Sequence, residues 1–337
     1  MRYLITGGAG FLGSHLTDAL TTRGDSVLIL DDLSTGRLEN VEDVIDSEHV
    51  EFVEGSALDA DLFDDCMQSV DACFHLASVV GVQLVVQRGL DSLLKNVRSS
   101  DIVMTAAARH KRRLLFTSTS EIYGKNNGGS LTEESDRMLG SPLKSRWSYS
   151  TTKAFGEALA HSYSREQGAE MIIVRLFNTI GPRQTGAYGM VLPRFVRQAL
   201  SGEDVTVYGN GTQSRCFTHV LDTVHGILMV SDSDRAVGDV FNIGSTGEVP
   251  IIELARKVIE KVDGGSTIRL VPYGEAYEDG FEELGRRQPD TTRVERLTGW
   301  RPSRTLDDAI EDVIAYEQTR GAERPSKTGS GSLRLAG

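Results

Sequence analysis

The sequence predicts an α/β protein: a doubly wound parallel sheet with a smaller C-terminal α/β substrate lobe. Three observations predict it. Short β-branched runs alternate with helix-length segments through the first half of the chain, the pattern of βαβ units. A glycine-rich turn, TGGAGFLG, joins the first run to the first helical pattern. The chain has 337 residues, too many for one small core, so one large domain with an appended lobe or two domains is expected.

In order, the runs are YLIT, SVLIL, HVEFVEG, DACFHLA, RRLLFTSTS and EMIIVRLFN. Ligands of such sheets bind beyond the carboxyl ends of the strands. The ends TGG, DD, HLAS, TSTSE and RLFN therefore mark the rim of a site. At the first, Gly7, Gly10 and Gly13 are spaced G-x-x-G-x-x-G ahead of the helix FLGSHLTDALTTRG. Glycine lets the backbone approach a pyrophosphate, whose charge is met by the helix N-terminus with Phe11 and Leu12. Asp31, at the end of the second strand, can accept both ribose hydroxyls of an adenosine. It would repel a 2'-phosphate, and the nearest cation is Arg37, so the pairing favours NAD over NADP. Residues 1–175 thus read as a Rossmann-type NAD-binding domain and 176–320 as a second lobe. The Gly/Ser-rich stretch 321–337 reads as a disordered tail.

The stretch from Thr117 to Lys153 gathers hydroxyls, a carboxylate, a phenol and an ammonium. Tyr149 and Lys153, four apart on a predicted helix, share one face. There the ammonium is expected to lower the phenol's pKa and make it a general base near neutrality.

Composition sets the outer limits. Hydrophobic residues make up 39% and charged residues 25%, and the net charge is −12. The acidic balance argues against nucleic acid or an anionic membrane as partner. No segment approaches the about 18 apolar residues that a membrane span needs, and no secretory signal follows Met1. Cys66, Cys73 and Cys216 have no paired spacing, which predicts neither disulfides nor a metal site and suggests a reducing cytoplasm.

TGGAGFLG together with Tyr149-x-x-x-Lys153 resembles the extended short-chain dehydrogenase/reductase family, the NAD-dependent nucleotide-sugar epimerases, dehydratases and decarboxylases. The resemblance covers nearly the whole chain. It implies tightly bound, recycled NAD+, a UDP-sugar substrate, and a homodimer through the segments around 91–110 and 149–167. DDLSTG resembles the adenosine-ribose loop, with Ser34 and Gly36 beside Asp31. EGSALD has Ser56, followed by Ala57, where the family commonly carries an Asp at the adenine. HLAS lays Leu76 and Ala77 along the cofactor, and Asn96 of KNVRSS matches an Asn near the nicotinamide. TSTSEIYG aligns Thr119 beside Tyr149. The implied chemistry is oxidation at C4 of a sugar: Tyr149 takes the hydroxyl proton, Thr119 shares the hydrogen bond, and Lys153 holds the ribose.

In the second half RLFNTIGPRQ resembles the family's R-x-F-N-x-x-GP, which carries a diphosphate contact to Asn178. VYGNGTQSRCF resembles the stretch around the nucleotide, with Tyr208, Gln213 and Arg215 at base, ribose and phosphate. The helix after GMVLP, with Val191 at the substrate and Arg194, Phe195 and Arg197 on it, is expected to pack over the nucleotide.

Three reactions follow from a 4-keto intermediate: inversion at C4, dehydration across C5 and C6, and decarboxylation of a hexuronate. Glu121, two residues after Thr119, suits proton transfer at C5. SRWSYSTTK, with Arg146, and EAYEDGFEELGRRQPD, with Arg287, resemble segments of the decarboxylases, and such cations can hold a carboxylate. VVGVQLVVQRG, with Val85 near an expected Tyr, looks more like 4-epimerases. UDP-glucuronate decarboxylation stays ahead of UDP-sugar 4-epimerisation by a narrow margin. A 4,6-dehydratase or a non-catalytic NAD-binding regulator ranks behind both.

Overall fold

The structure is a computed structural model describing residues 1–79, 89–126, 128–186, 190–276 and 286–323. All six expected strands form. β1 (Arg2–Thr6) leads into α1 (Phe11–Thr22), β2 (Ser26–Asp31) into the short α2 (Glu42–Ile45), and β3 (Val50–Glu54) into α3 (Ala60–Gln68). β4 (Ala72–His75) precedes α4 (Gly89–His110), β5 (Arg113–Thr119) precedes α5 (Ser148–Gln167), and β6 (Met171–Leu176) is followed by the short β7 (Thr179–Ile180).

The main sheet has seven strands, because β11 (Val240–Ile243) joins β6 at the edge, giving the order β3-β2-β1-β4-β5-β6-β11 with every neighbour parallel. The regular alternation of the first half does not predict β11. Its four residues, VFNI, lie in the second half of the chain, beyond the first visit to the other lobe.

Both faces of this sheet are covered, so its strands are nearly continuous apolar runs. Ile5, Ile29, Phe74 and Val174 pack on one face with residues of α1, and Leu4, Leu28, Phe116 and Ile173 on the other with residues of α3 and α4. Burying each such side chain stabilises the fold by about 1.5–3 kcal/mol.

The second lobe is built from α6 (Val191–Leu200), β8 (Val205–Tyr208), β9 (Ser214–Cys216), β10 (Thr218–His219), β12 (Glu248–Pro250), α8 (Ile251–Val262) and β13 (Ile268–Val271). Its core joins Leu192, Phe195, Val196, Leu254, Val258 and Val313. Phe195 is fully buried there, Arg197 pairs with Glu317, and Arg194 lies over the Tyr208 ring at 4.4 Å. The apolar face of α6 therefore turns inward to its own lobe, where Arg194 and Arg197 are also engaged.

α7 (Val220–Ser231), β11 and α10 (Thr292–Thr298) return to the first core, to which they contribute Val224, Ile227, Phe241 and Val294. The short α9 (Tyr273–Ala276) follows β13, and the last helix, α11 (Leu306–Glu323), runs three residues into the stretch expected to be a tail. The rest of that stretch, 324–337, lies outside the described residues.

A buried polar network lies at the end of β6. Arg175 grips Glu157 of α5 through Nε (3.0 Å to Oε1) and Nη2 (2.7 Å to Oε2), and its Nη1 donates to the Tyr123 hydroxyl and the Glu133 carbonyl, both at 2.8 Å. Removing one partner of such a pair leaves an uncompensated buried charge, whereas replacing both by apolar groups is close to neutral. Arg175→Ala should therefore cost about 3–5 kcal/mol in a urea unfolding series. The pair Arg175→Met with Glu157→Leu should recover most of it; equal losses for the single and the double variant would contradict this account.

Candidate active site

A cleft of about 660 Å³ opens where the strand order reverses between β1 and β4, the place where such sheets bind ligands. Its floor is the glycine turn. Gly7 has φ +72, and a Cβ on Gly13 would stand 2.1 Å from the Gly7 carbonyl oxygen. Only glycine permits this packing of helix against strand. α1 begins at Phe11 after Gly10, with no side chain capping it, so its first N–H groups face the cleft as an anion site.

Asp31 lies at the end of β2 with Oδ2 accepting from Ala9 N (3.0 Å) and Oδ1 from Leu33 N (2.9 Å). Burial raises its pKa, and these two bonds oppose the shift. Both oxygens are thereby oriented with lone pairs left for a ligand. Phe11, Leu12, Ser34, Ser56, Ala57, Leu76, Ala77 and Asn96 line the same cleft. Gly36 instead lies behind Asp31, where a Cβ would come within 2.7 Å of its carboxylate oxygens. The dimensions, the anion-binding floor and the diol-accepting carboxylate fit an adenine dinucleotide.

Thr119, Tyr149 and Lys153 line the inner end. Lys153 Nζ donates to the Thr117 carbonyl (2.9 Å) and lies 4.8 Å from the centroid of the Phe116 ring. Burial lowers its pKa to about 8, with Glu157 opposing. The expectation that Lys153 lowers the pKa of Tyr149 does not hold in the chain by itself. Burial, and after it the Glu121 charge, push the phenol well above its ordinary value, and the one opposing contribution is a hydrogen bond to Ser78. Ser78 thus bonds the Tyr149 phenol. Thr119 Oγ1 accepts from Glu121 N (3.2 Å) and caps the turn Ser120–Tyr123.

Ser78 was within reach of sequence reading, since it closes HLAS at the end of β4. Asn96 fixes it: Asn96 Oδ1 accepts from Ser78 Oγ (3.1 Å) and Val79 N (2.9 Å), and Nδ2 donates to the Val79 carbonyl (3.1 Å). His75 is structural. It is 1% exposed, bonded to Thr6 Oγ1 at 2.8 Å, and its pKa is lowered to about 3 by burial and by Lys153.

Beyond Tyr149 lies a buried charge cluster. Glu121 is held bidentately by Arg146, at 2.7 Å (Nη1 to Oε2) and 3.2 Å (Nη2 to Oε1), and Arg287 Nη1 stands 3.8 Å from Oε1. Burial pushes the Glu121 pKa up, but Arg146, Arg287 and Arg215 outweigh it and the carboxyl is held below its usual range. Arg287 also donates to Ser120 Oγ and Asn178 Oδ1, both at 3.3 Å, and Asn178 Nδ2 donates to the Cys216 carbonyl (3.1 Å).

Asn178 and Arg287 thus join the Glu121 cluster, with Arg215 near enough for its charge to act there. Val191 opens α6, and Gln213 Nε2 donates to the Tyr208 carbonyl at 3.1 Å in the second lobe. Sequence reading missed Arg183 and Gln184, which line the cofactor cleft; Arg183 is fixed by Asp18 at 2.6 Å. Val85 and the segment 80–88, like 277–285 of the distal segment, lie outside the described residues. Among the described residues no cluster of His, Cys, Asp and Glu suits a metal ion.

Residues 3–244 match the model of the NAD dependent epimerase/dehydratase family. A UDP-N-acetyl-alpha-D-glucosaminuronate decarboxylase of Bacillus cytotoxicus is 36% identical over 94% of this chain and 97% of its own length. UDP-glucuronic acid decarboxylase 1 of Xenopus tropicalis is 35% identical over 94% of this chain and 72% of its own. Among solved structures, a UDP-glucuronic acid 4-epimerase from Bacillus cereus, in complex with UDP-glucuronic acid and NAD, superposes with a TM-score of 0.85 at 25% identity, over 95% of this chain and 100% of that one. A dTDP-glucose 4,6-dehydratase from Streptomyces venezuelae with NAD bound gives 0.86 at 29% identity, over 96% and 98%.

The cofactor of this cleft is NAD. Gly13→Ala should strip it, because the methyl group would collide with backbone. The purified variant should keep its circular dichroism but retain no more than about a tenth of the wild-type NAD, a loss of about 1.4 kcal/mol or more in binding. Wild-type NAD content in the variant would refute the fit.

Proposed function

The chain belongs to the NAD dependent epimerase/dehydratase family, and on that premise we propose that it decarboxylates a UDP-hexuronate, with UDP-glucuronate as substrate and UDP-xylose as product. The observation that carries the reading is the ionised Glu121 between Arg146 and Arg287, a buried cluster that presents cations to a carboxylate beside the phenol.

When bound, NAD+ accepts a hydride from C4 of the sugar and returns it after the carbon chemistry. The chain's own residues do the rest. Tyr149 accepts the C4 hydroxyl proton. Its raised pKa means that it becomes a base only when positive charge is added nearby, which makes proton removal depend on a loaded cofactor site. Thr119 holds the oxygen at C4. Arg146 and Arg287 hold the C6 carboxylate in bidentate geometry. Once C4 is a ketone, that carboxylate is β to a carbonyl. The C5–C6 bond breaks, CO2 leaves, and the electron pair moves into an enolate that hydrogen-bond donors stabilise.

Glu121 then serves the proton transfer at C5 for which its place in the sequence suits it. A carboxylate clamped by arginine is a poor proton donor. When a substrate carboxylate draws Arg146 away, Glu121 loses the largest of the charges that offset its burial and its pKa rises, so that it can take up a proton from solvent and carry it to C5. A 2-acetamido hexuronate has the same C4–C6 chemistry, and the Bacillus cytotoxicus relative is named for one, so it is the second substrate to try.

For the assembly we propose a homodimer through α4 and α5, which expose Leu94 and Phe155 (41% and 43%). We assign it to a reducing cytoplasm, which the three free, buried cysteines support. No helix among the described residues is long and apolar enough to cross a membrane.

The NAD-loaded enzyme should release CO2 from UDP-glucuronate or its 2-acetamido analogue and leave UDP-glucose and GDP-mannose unchanged, followed by mass spectrometry. An isobaric product would give the reaction to epimerisation, and loss of water to dehydration. Tyr149→Phe should lower turnover about 100-fold or more while keeping bound NAD, and retained turnover would remove Tyr149 from the mechanism. Sedimentation velocity should give about twice the chain mass of 36.8 kDa; a single chain mass at micromolar concentration would exclude the dimer.

A further inference from the structure

Outside the reacting groups, one fully buried side chain is bonded to both walls of the site. Asn242, in the middle of β11, has no exposed surface. Its Oδ1 accepts from the Tyr123 hydroxyl at 2.7 Å. Tyr123 ends the turn that carries Ser120 and Glu121. Its Nδ2 donates to the Leu131 carbonyl at 2.8 Å and the Asp290 carbonyl at 3.2 Å, and its backbone N–H donates to Glu133 Oε1 at 2.8 Å. Leu131 is itself laced to the other wall: Leu131 N donates to the Gln288 carbonyl and Asp290 N to the Leu131 carbonyl, each at 2.8 Å. The strand end supplies a seat for the same segment, since a Cβ on Gly244 would come within 3.1 Å of Pro289 Cγ and 2.7 Å of Phe177 Cβ. Arg287 is two residues from Pro289.

We infer that Asn242 is a positioning residue, which sets the distance between Arg287 and the Ser120–Glu121 wall by bonding the segments that carry them. A buried amide with both heteroatoms engaged has few alternative arrangements. Serine at this position cannot span Tyr123 on one side and two carbonyls on the other. Loss of the amide would let the segment that carries Arg287 shift against the Ser120–Glu121 wall and move the guanidinium from the place where a substrate group is gripped. Lys153 and Asp31 make none of these bonds, so bound NAD serves as the control for a change confined to the Arg287 wall. The inference rests on the decarboxylase reading for what Arg287 touches, and not for the geometry.

A double-mutant cycle tests it, with Asn242→Ser, Arg287→Lys and the two together, each NAD-loaded. Affinity for UDP-glucuronate is read by calorimetry and kcat by CO2 release, with bound NAD as control. Asn242→Ser should weaken UDP-glucuronate binding or kcat about tenfold, and the double variant should fall within about twofold of Arg287→Lys alone, because coupled neighbours are not additive. Bound NAD should stay at the wild-type level. Losses that multiply, an Asn242→Ser enzyme within about twofold of wild type, or an Arg287→Lys variant with unaltered affinity and kcat would each overturn the inference. If Asn242→Ser does not fold, Tyr123→Phe replaces it in the cycle, since it keeps the ring and removes the hydroxyl bonded to Asn242, while Arg175, which also donates to that hydroxyl, stays held by Glu157 and the Glu133 carbonyl. Absence of CO2 release by the wild-type enzyme would instead count against the decarboxylase reading, and the affinity arm would still decide the role of Asn242.

Discussion

The constraint on which the site depends is one largely buried negative charge, that of Glu121, whose side chain is 17% exposed. A carboxylate cannot stay ionised out of water unless cations surround it, and Glu121 is held ionised by Arg146 and Arg287, with Arg215 assisting. These three arginines come from the turn before α5, from the segment ahead of α10 and from β9. Satisfying one charge therefore draws together pieces from both lobes. The same need explains why Arg287 is itself held by Ser120 and Asn178: an arginine that must meet a carboxylate in a fixed place cannot be left to its own rotamers.

Behind this cluster stands a second buried network, centred on Arg175, Glu157, Tyr123 and Asn242, which has no exposed reacting group. Its effect is mechanical. Arg175 joins β6 to α5, the helix that carries Tyr149 and Lys153, and Tyr123 and Asn242 carry the connection to β11 and to the segment of Arg287. The proton-handling phenol and the carboxylate-binding cations thus share one rigid support, although they belong to different parts of the chain. Fully satisfied buried networks act in this way, because any shift leaves a polar group without a partner.

How much of this was legible in the sequence depends on the range of the interaction concerned. Gly13 and Asp31 could be read directly, because strand, turn and helix are local and steric demand fixes the glycine. Tyr149 and Lys153 were legible as a pair on one helix face, but not the direction of the phenol's pKa, which is decided by burial and by Glu121, distant in sequence. Ser78 was not legible as a partner of the phenol, since its approach to Tyr149 is set by tertiary packing. β11 and Asn242 were invisible for the same reason: a four-residue strand returning from another lobe has no periodicity to announce it, and a lone Asn gives no sign of its partners.

The rigidity of the cation cluster bears on the choice between decarboxylation and inversion at C4. A 4-keto sugar that is to be reduced from its other face must turn over, and to do so it must release whatever holds it at C6. Arg287 is tied to Asn178 on one side and to the Ser120–Glu121 turn on the other, and its segment is laced to Leu131 and seated on Gly244. A hexuronate gripped there would be hindered from turning. Loss of CO2 needs no rotation: the ring stays in place, and in the proposed site the departing group would be the one the arginines hold. Cleavage of the C5–C6 bond ends the ion pair that held the substrate carboxylate, and Arg146 is then free to return to Glu121. A site of this kind favours the reaction that consumes its own anchor over one that requires the anchor to let go.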